Sequence, residues 1–121
     1  MDNAQIVREF WTQAFQQKDP AGAAAEHLGE QYIQHNPLAV DGAEGLVGFV
    51  GALQQQDPGF RAQLIRIVAE GDLVATHSRF DVGGATMSAM DFWRLEDGRI
   101  VEHWDAIQPV PAQSRNDHGM F

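Results

Sequence analysis

The sequence predicts an α+β fold in which three helices pack on one face of a curved, mainly antiparallel sheet. Three observations lead there. Apolar residues recur at helical spacing in the first half of the chain, the period changes to two from Phe60 onward, and short glycine turns divide that second half into hairpins.

Each element follows from its own residues. Ile6, Val7, Phe10, Trp11, Ala14 and Phe15 form one helix face, with Arg8, Glu9, Gln13 and Gln16 opposite. Asp19-Pro20 reads as a cap followed by a first-turn proline, opening a short helix from Ala21 to Leu28 that Gly29 stops. Gln31 to His35 is strand-like, and Asn36-Pro37 breaks it. Between Gly42 and Gln56, Leu46, Phe49, Val50 and Leu53 mark a third amphipathic helix. Its glycines Gly45, Gly48 and Gly51 weaken it by up to ~1 kcal/mol each relative to alanine, and they allow close packing against a sheet. Asp57-Pro58-Gly59 ends it. Strands are expected over Phe60–Ala69, Leu73–Asp81, Ala85–Leu95 and Arg99–Gln108, divided at Glu70-Gly71-Asp72, Gly83-Gly84 and Glu96-Asp97-Gly98. The tail from Pro109 is polar until Met120-Phe121. An apolar end after such a stretch implies a tail that folds back and buries Phe121.

Length and composition bound the function. A chain of 121 residues is read as one domain, 1–121, with 109–121 as its C-terminal tail. Hydrophobic residues at 44% and charged residues at 21% are ordinary for a globular chain and leave disorder aside. A net charge of −9 makes nucleic acid and anionic membrane poor partners. The absence of cysteine excludes disulfides, thiolate metal sites and a cysteine nucleophile. The start MDNAQIVREF has neither a basic run nor an apolar core, so no signal peptide is expected. No stretch approaches the roughly 18 apolar residues of a membrane span. The expected location is cytoplasmic.

No dinucleotide, P-loop, metalloprotease or nucleophile-elbow motif is present. Titratable and polar residues instead interrupt segments that should bury side chains: Tyr32 to Asn36, His77, Asp91 and His103-Trp104-Asp105. A three-residue loop with Gly98 in a bulge would set Asp91 opposite His103 and Ala89 opposite Asp105; a two-residue Asp97-Gly98 turn would set Asp91 opposite Trp104. The bulged form is favoured because it places Asp91, Trp93, Val101, His103, Asp105 and Ile107 on one side, mixing apolar walls with titratable groups as a ligand pocket does. A solvated face whose charges only solubilise it is the alternative. Two carboxylates and an imidazole in a semi-apolar cavity suit general acid–base chemistry, because burial and charge neighbours separate donors from acceptors. A lone strand histidine such as His77 is more often a satisfied core or surface residue than a catalyst. The same groups are metal-ligand types, but their spacing matches no metal motif, so neither a metal nor a cofactor is expected.

The stretch DFWRLEDGRIVEHWD (Asp91 to Asp105) resembles the last hairpin of SnoaL-like proteins in the nuclear transport factor 2-like superfamily. YIQHNP, DLVATHSRF and the close from HWDAIQPVP to GMF are similar to a bacterial subgroup described as SnoaL-like aldol-condensation enzymes. The resemblance implies a cone of three helices on a bent sheet, a central pocket and a homodimer formed through the sheet. SnoaL-type polyketide cyclases close a ring by intramolecular aldol reaction, using an aspartate and no cofactor, and Asp105 matches that aspartate. Asp91 precedes an aromatic-Arg pair as the oxyanion-hole aspartate of ketosteroid isomerases does. The base of those isomerases aligns with Asn36. An amide cannot abstract a proton, so that chemistry is not expected in the same arrangement, and His35 or Asp105 would have to serve.

The reading that results is a small cofactor-independent lyase or isomerase acting on a carbonyl compound. Asp105 would be the general base or acid, with His103 and His77 setting its protonation. Asp91, or Tyr32 and Asn36, would donate to the enolate oxygen. Trp93, Trp104 and the first-helix aromatics Trp11 and Phe15 would wall a site for a carbonyl or hydrophobic small molecule, with His35 beside them. The rival reading is a binding module with the same pocket and no turnover.

Overall fold

The computed structural model describes residues 1–121. Helix α1 (Asn3–Trp11) starts at a reciprocal cap in which Asp2 accepts the Gln5 N–H and the Gln5 side chain accepts the Asp2 N–H. It does not continue as one α-helix. A π-helical turn over Thr12–Gln16 takes over, with Ala14 and Phe15 still buried. Asp19 caps α2 (Pro20–His27) through the Gly22 N–H. The chain then passes straight into strand β1 (Leu28–Gln34), so Gly29 is not a helix stop. It lies in the strand, where a Cβ would come within 2.9 Å of the Val101 side chain. Helix α3 (Gly42–Gln56) follows, then β2 (Arg61–Glu70), β3 (Leu73–Val82), β4 (Ala85–Glu96) and β5 (Arg99–Pro109). No helix is long and apolar enough to cross a membrane.

The sheet order is β1-β5-β4-β3-β2, with β1 parallel to β5 and every other pair antiparallel. The expected α+β class and mainly antiparallel sheet are both present. Alternation along the strands sends Val74, Trp93, Leu95 and Ile100 toward the helices, where they pack with Ile6, Val7, Phe10 and Trp11 into one buried cluster. Phe10 meets Trp93 edge-on, their ring centres 5.2 Å apart.

The terminal hairpin corrects both registers read from sequence. Glu96 pairs with Arg99 across a two-residue turn in which Asp97 and Gly98 both have positive φ, 49° and 77°. Leu95 then pairs with Ile100 and Arg94 with Glu102, so Val101 is an extra, bulged residue. That bulge moves the pairing on by one residue, and Asp91 lies opposite Asp105 and Trp93 opposite His103. Because the turn and the bulge offset each other's parity, Asp91, Trp93, His103, Asp105 and Ile107 still share one face. Val101 leaves that set, and Ile100 takes the core position.

The tail folds back, as its apolar end implied. The Val110 N–H bonds to the Thr86 carbonyl, and Phe121 reaches the outer sheet face, stacking on His77 at 5.6 Å with Arg79 over its ring at 5.5 Å. Phe121 is half-buried rather than buried. His77 is also held by Arg66 and, through Nε2, by Ser88 Oγ at 3.0 Å. The Arg66 guanidinium only donates, so His77 Nδ1 accepts and Nε2 carries the hydrogen. Burial first, and the Arg66 charge second, hold His77 below its ordinary pKa.

Two stability outcomes follow from this packing. Within α3 a Cβ at Gly48 or Gly51 meets nothing, whereas one at Gly45 would lie 1.8 Å from the Val40 carbonyl oxygen. Gly48→Ala and Gly51→Ala should each raise stability by about 0.5–1 kcal/mol in thermal unfolding, and Gly45→Ala should lower it. The expected close packing therefore exists only at Gly45, and against the preceding loop rather than the sheet. Deleting residues 114–121 should cost about 1–2 kcal/mol through loss of the Phe121 contacts. It should also bring the titration of His77, followed by NMR, up toward the ordinary histidine value.

Candidate functional site

A cavity of about 240 Å³ lies between α3 and the inner face of the sheet. Leu46, Phe49, Val50 and Leu53 of α3 form one wall. Phe80, Val82, Met87 and Ala89 of β3 and β4 form the other, with Phe15 behind them. No residue of α2 takes part, so the pocket lies under α3 rather than under all three helices. Its polar end is a single connected group: Gln34, Asn36, Asp91, His103 and Asp105.

The hydrogen bonds of this group leave little ambiguity about where protons sit. The backbone N–H of Asn36 donates to Gln34 Oε1 at 3.0 Å, which fixes that atom as the amide oxygen. His103 Nδ1, 2.7 Å from the same oxygen, must then carry a hydrogen and donate it. On its other side Nε2 lies 2.7 Å from Asp91 Oδ1 and 3.9 Å from Asp105 Oδ2. The 2.7 Å contact therefore holds one proton, shared by His103 and Asp91. Burial is the largest influence on Asp91 and raises its pKa; the His103 bond opposes this and the Asp105 charge adds to it. The Leu38 N–H donates to Asn36 Oδ1, so Asn36 Nδ2 is the donor to Asp105 Oδ2 at 2.8 Å. Two facing carboxylates thus have different partners: Asp91 an imidazole, Asp105 a side-chain amide. The ligand atoms of Asp91, His103 and Asp105 lie within 4.8 Å of one another, and this is the set that could hold a divalent ion.

Of the residues expected at the site, Asp91, His103, Asp105, Asn36, Trp93 and Phe15 line the pocket. Trp93 lies tilted against His103, ring centres 4.2 Å apart, and is anchored by its Nε1–H to Thr76 Oγ1 at 3.0 Å. Tyr32 lies behind His103, ring centres 6.4 Å apart, with its buried hydroxyl unpartnered. Burial, and then the Asp91 charge, push that phenol's pKa up. Trp11 is fully buried one layer back, against Phe15 and Phe80.

Besides Tyr32 and Trp11, which lie one layer behind the lining, three expected residues face away from the pocket. His77 pairs with Met90 on the outer face, because the alternation that turns Thr76 and Ser78 inward turns it outward. Trp104 lies outward between His103 and Asp105, and His35 stacks flat on it at 4.8 Å while bonding Glu102 at 2.7 Å. Glu102 and Arg94 pair at 2.8 Å on that side. Gln34, which sets the His103 tautomer, was not singled out from sequence. The period of two through Tyr32 and Asn36 marks it.

Three helices on a curved sheet, with a polar-ended pocket between, define the cone-like class of nuclear transport factor 2-like domains. The chain matches the SnoaL-like domain over residues 7–103 and belongs to that family. TsrD from Streptomyces laurentii superposes with a TM-score of 0.75 at 23% identity, covering 88% of this chain and 90% of its own. IdmH from Streptomyces antibioticus, a candidate polyketide cyclase, gives 0.71 at 24%, covering 88% and 92%. A nuclear transport factor 2-like protein of unknown function from Mesorhizobium loti gives 0.71 at 24%, covering 89% and 95%. No curated protein is significantly similar in sequence.

The shared proton yields a pH prediction. A carboxyl whose pKa is raised on folding adds stability below its unfolded value, near 4, and that contribution is lost as pH rises toward the folded value. Asp91→Asn keeps a donor to His103 Nε2 without the ionisation. In urea unfolding the variant should match the wild type near pH 4 and be equally or more stable by about pH 8. A variant clearly less stable at the higher pH would mean that Asp91 is an ionised partner of an imidazolium.

Proposed function

We propose that this pocket transfers a proton at the carbon beside a substrate carbonyl, in an enolisation or aldol condensation of the lyase or isomerase type. The observation that carries the reading is the pair of facing carboxylates in unlike environments, which is how one site provides both an acid and a base. Asp105 takes the α-proton, and the electron pair of the C–H bond moves to the carbonyl oxygen. Asn36 Nδ2 has a second hydrogen that its bond to Asp105 leaves uncommitted, and this stabilises the enolate. In a condensation the enolate carbon attacks a second carbonyl, and the new alkoxide receives the proton held between Asp91 and His103. Asp105, 3.9 Å from His103 Nε2, returns its own proton to that pair and closes the cycle. The mostly apolar lining, eleven hydrophobic residues of sixteen, excludes water and equally supports the second reading, a binding module without turnover. His77, on the outer face, has a structural part in holding the tail. The same face exposes Met90 and Phe92, an apolar surface suited to the pairing of two copies.

In deuterated water the protein should catalyse exchange of the α-hydrogens of small neutral ketones. Asp105→Asn should lower that rate by about 10²–10⁴-fold with ligand affinity little changed, since its role lies in the transition state. Asp91→Asn should lose less. Equal rates in wild type and Asp105→Asn would remove Asp105 from the chemistry, and tight binding without exchange would establish the binding module.

A further inference from the structure

We infer that the substrate is an uncharged molecule of about one ring, with its polar function at one end, and that both carboxylate-bearing and multi-ring compounds are excluded. The carbonyl in that description rests on the proton-transfer reading; the size, charge and polarity rest on the cavity alone.

Size comes from the volume. The cavity holds about 240 Å³. This lies below the usual range for drug-sized ligands, about 300–1,000 Å³. Three or four fused rings would have to protrude past Ile107, Val82 and Met87 into water. Polarity comes from the distribution of lining groups. All five polar residues are joined by hydrogen bonds at one end, and the remaining walls offer no partner to a second polar group, so one placed there would be buried unpaired.

Charge comes from what the lining lacks. It contains two carboxylates and neither Arg nor Lys. The guanidinium groups nearest in sequence are committed on the outer face: Arg94 to Glu96 and Glu102, Arg79 to Asp81, and Arg66 to His77. The one basic group present, His103, already shares its proton with Asp91. An anionic ligand would therefore enter a low-dielectric space beside like charge with no counter-ion.

Three ketones test this by calorimetric titration: 4-isopropylcyclohexanone, 4-oxocyclohexanecarboxylate, and the three-ring 1,2,3,4-tetrahydroanthracen-1-one. The alkyl ketone should bind at least about tenfold more tightly than either of the others, from unpaired like charge in one case and excluded volume in the other. Met87→Lys should shrink or reverse the alkyl-over-acid preference by placing a cation at the wall. Leu53→Ala should recover binding of the three-ring ketone. Equal or tighter binding of the acid or the three-ring compound by the wild type would overturn the inference, as would binding of none of the three. Exchange of α-hydrogens in the bound alkyl ketone is read separately: tight, selective binding without exchange leaves this inference standing and removes the proton-transfer reading.

Discussion

The hydrogen bond from the Asn36 backbone to the Gln34 side chain fixes the order of everything behind it. A backbone N–H can only donate, so the Gln34 amide cannot flip; the His103 tautomer follows, and with it the single proton on the Asp91 side. Asn36 lies just past the end of β1, and Gln34 is the last residue of that strand, paired in register with His103. Their placement depends on the parallel β1–β5 pairing, the one departure from an otherwise antiparallel sheet. Loss of that edge strand would remove both the orienting oxygen and the amide that holds Asp105. Proton order in the pocket is thus a property of the fold, set by backbone geometry at the end of β1.

The cavity itself has a packing origin. Phe10 and Trp11 pack densely between α1 and the sheet, whereas α3 faces the strands across the cavity with Leu46, Phe49, Val50 and Leu53. On the sheet side the small Ala89 of β4 leaves the space open. The buried Asp91 carboxyl and, behind His103, the unpartnered Tyr32 hydroxyl each cost stability that the aromatic cluster under α1 must offset. Separating a dense half from an open half lets one small chain do both.

Much of this was legible beforehand. The helical and two-residue periods located every helix and strand, and the shared face of Asp91, His103 and Asp105 followed from alternation. The pairing register did not, because a bulge at Val101 has no signature beyond the bulk of its neighbours. Asp97-Gly98 carried the signal of a two-residue turn, and preferring a longer loop preserved the face only because turn and bulge offset one another. The misplaced residues are different. His77, His35 and Trp104 each neighbour inward-facing positions, and the same alternation that selected Asp91 and Asp105 excludes them. Chemical interest, rather than geometry, had placed them at the site.

Those three outward residues show why the outer face is not a second site. His77 accepts from Arg66, donates to Ser88 and is covered by Phe121, so each ring nitrogen is already used. His35 is spent on Glu102, whose carboxyl is held low first by that bond and then by Arg94. Each imidazole is therefore satisfied by neighbours that no ligand can displace cheaply. His103 is satisfied too, but at Nε2 its partner is a carboxyl raised by burial, and a second carboxylate stands 3.9 Å away. There, and at neither outer imidazole, a second carboxylate stands near the shared proton, at the polar end of a space with mostly apolar walls. A movable proton, rather than a titratable side chain, distinguishes the candidate site from His35 and His77.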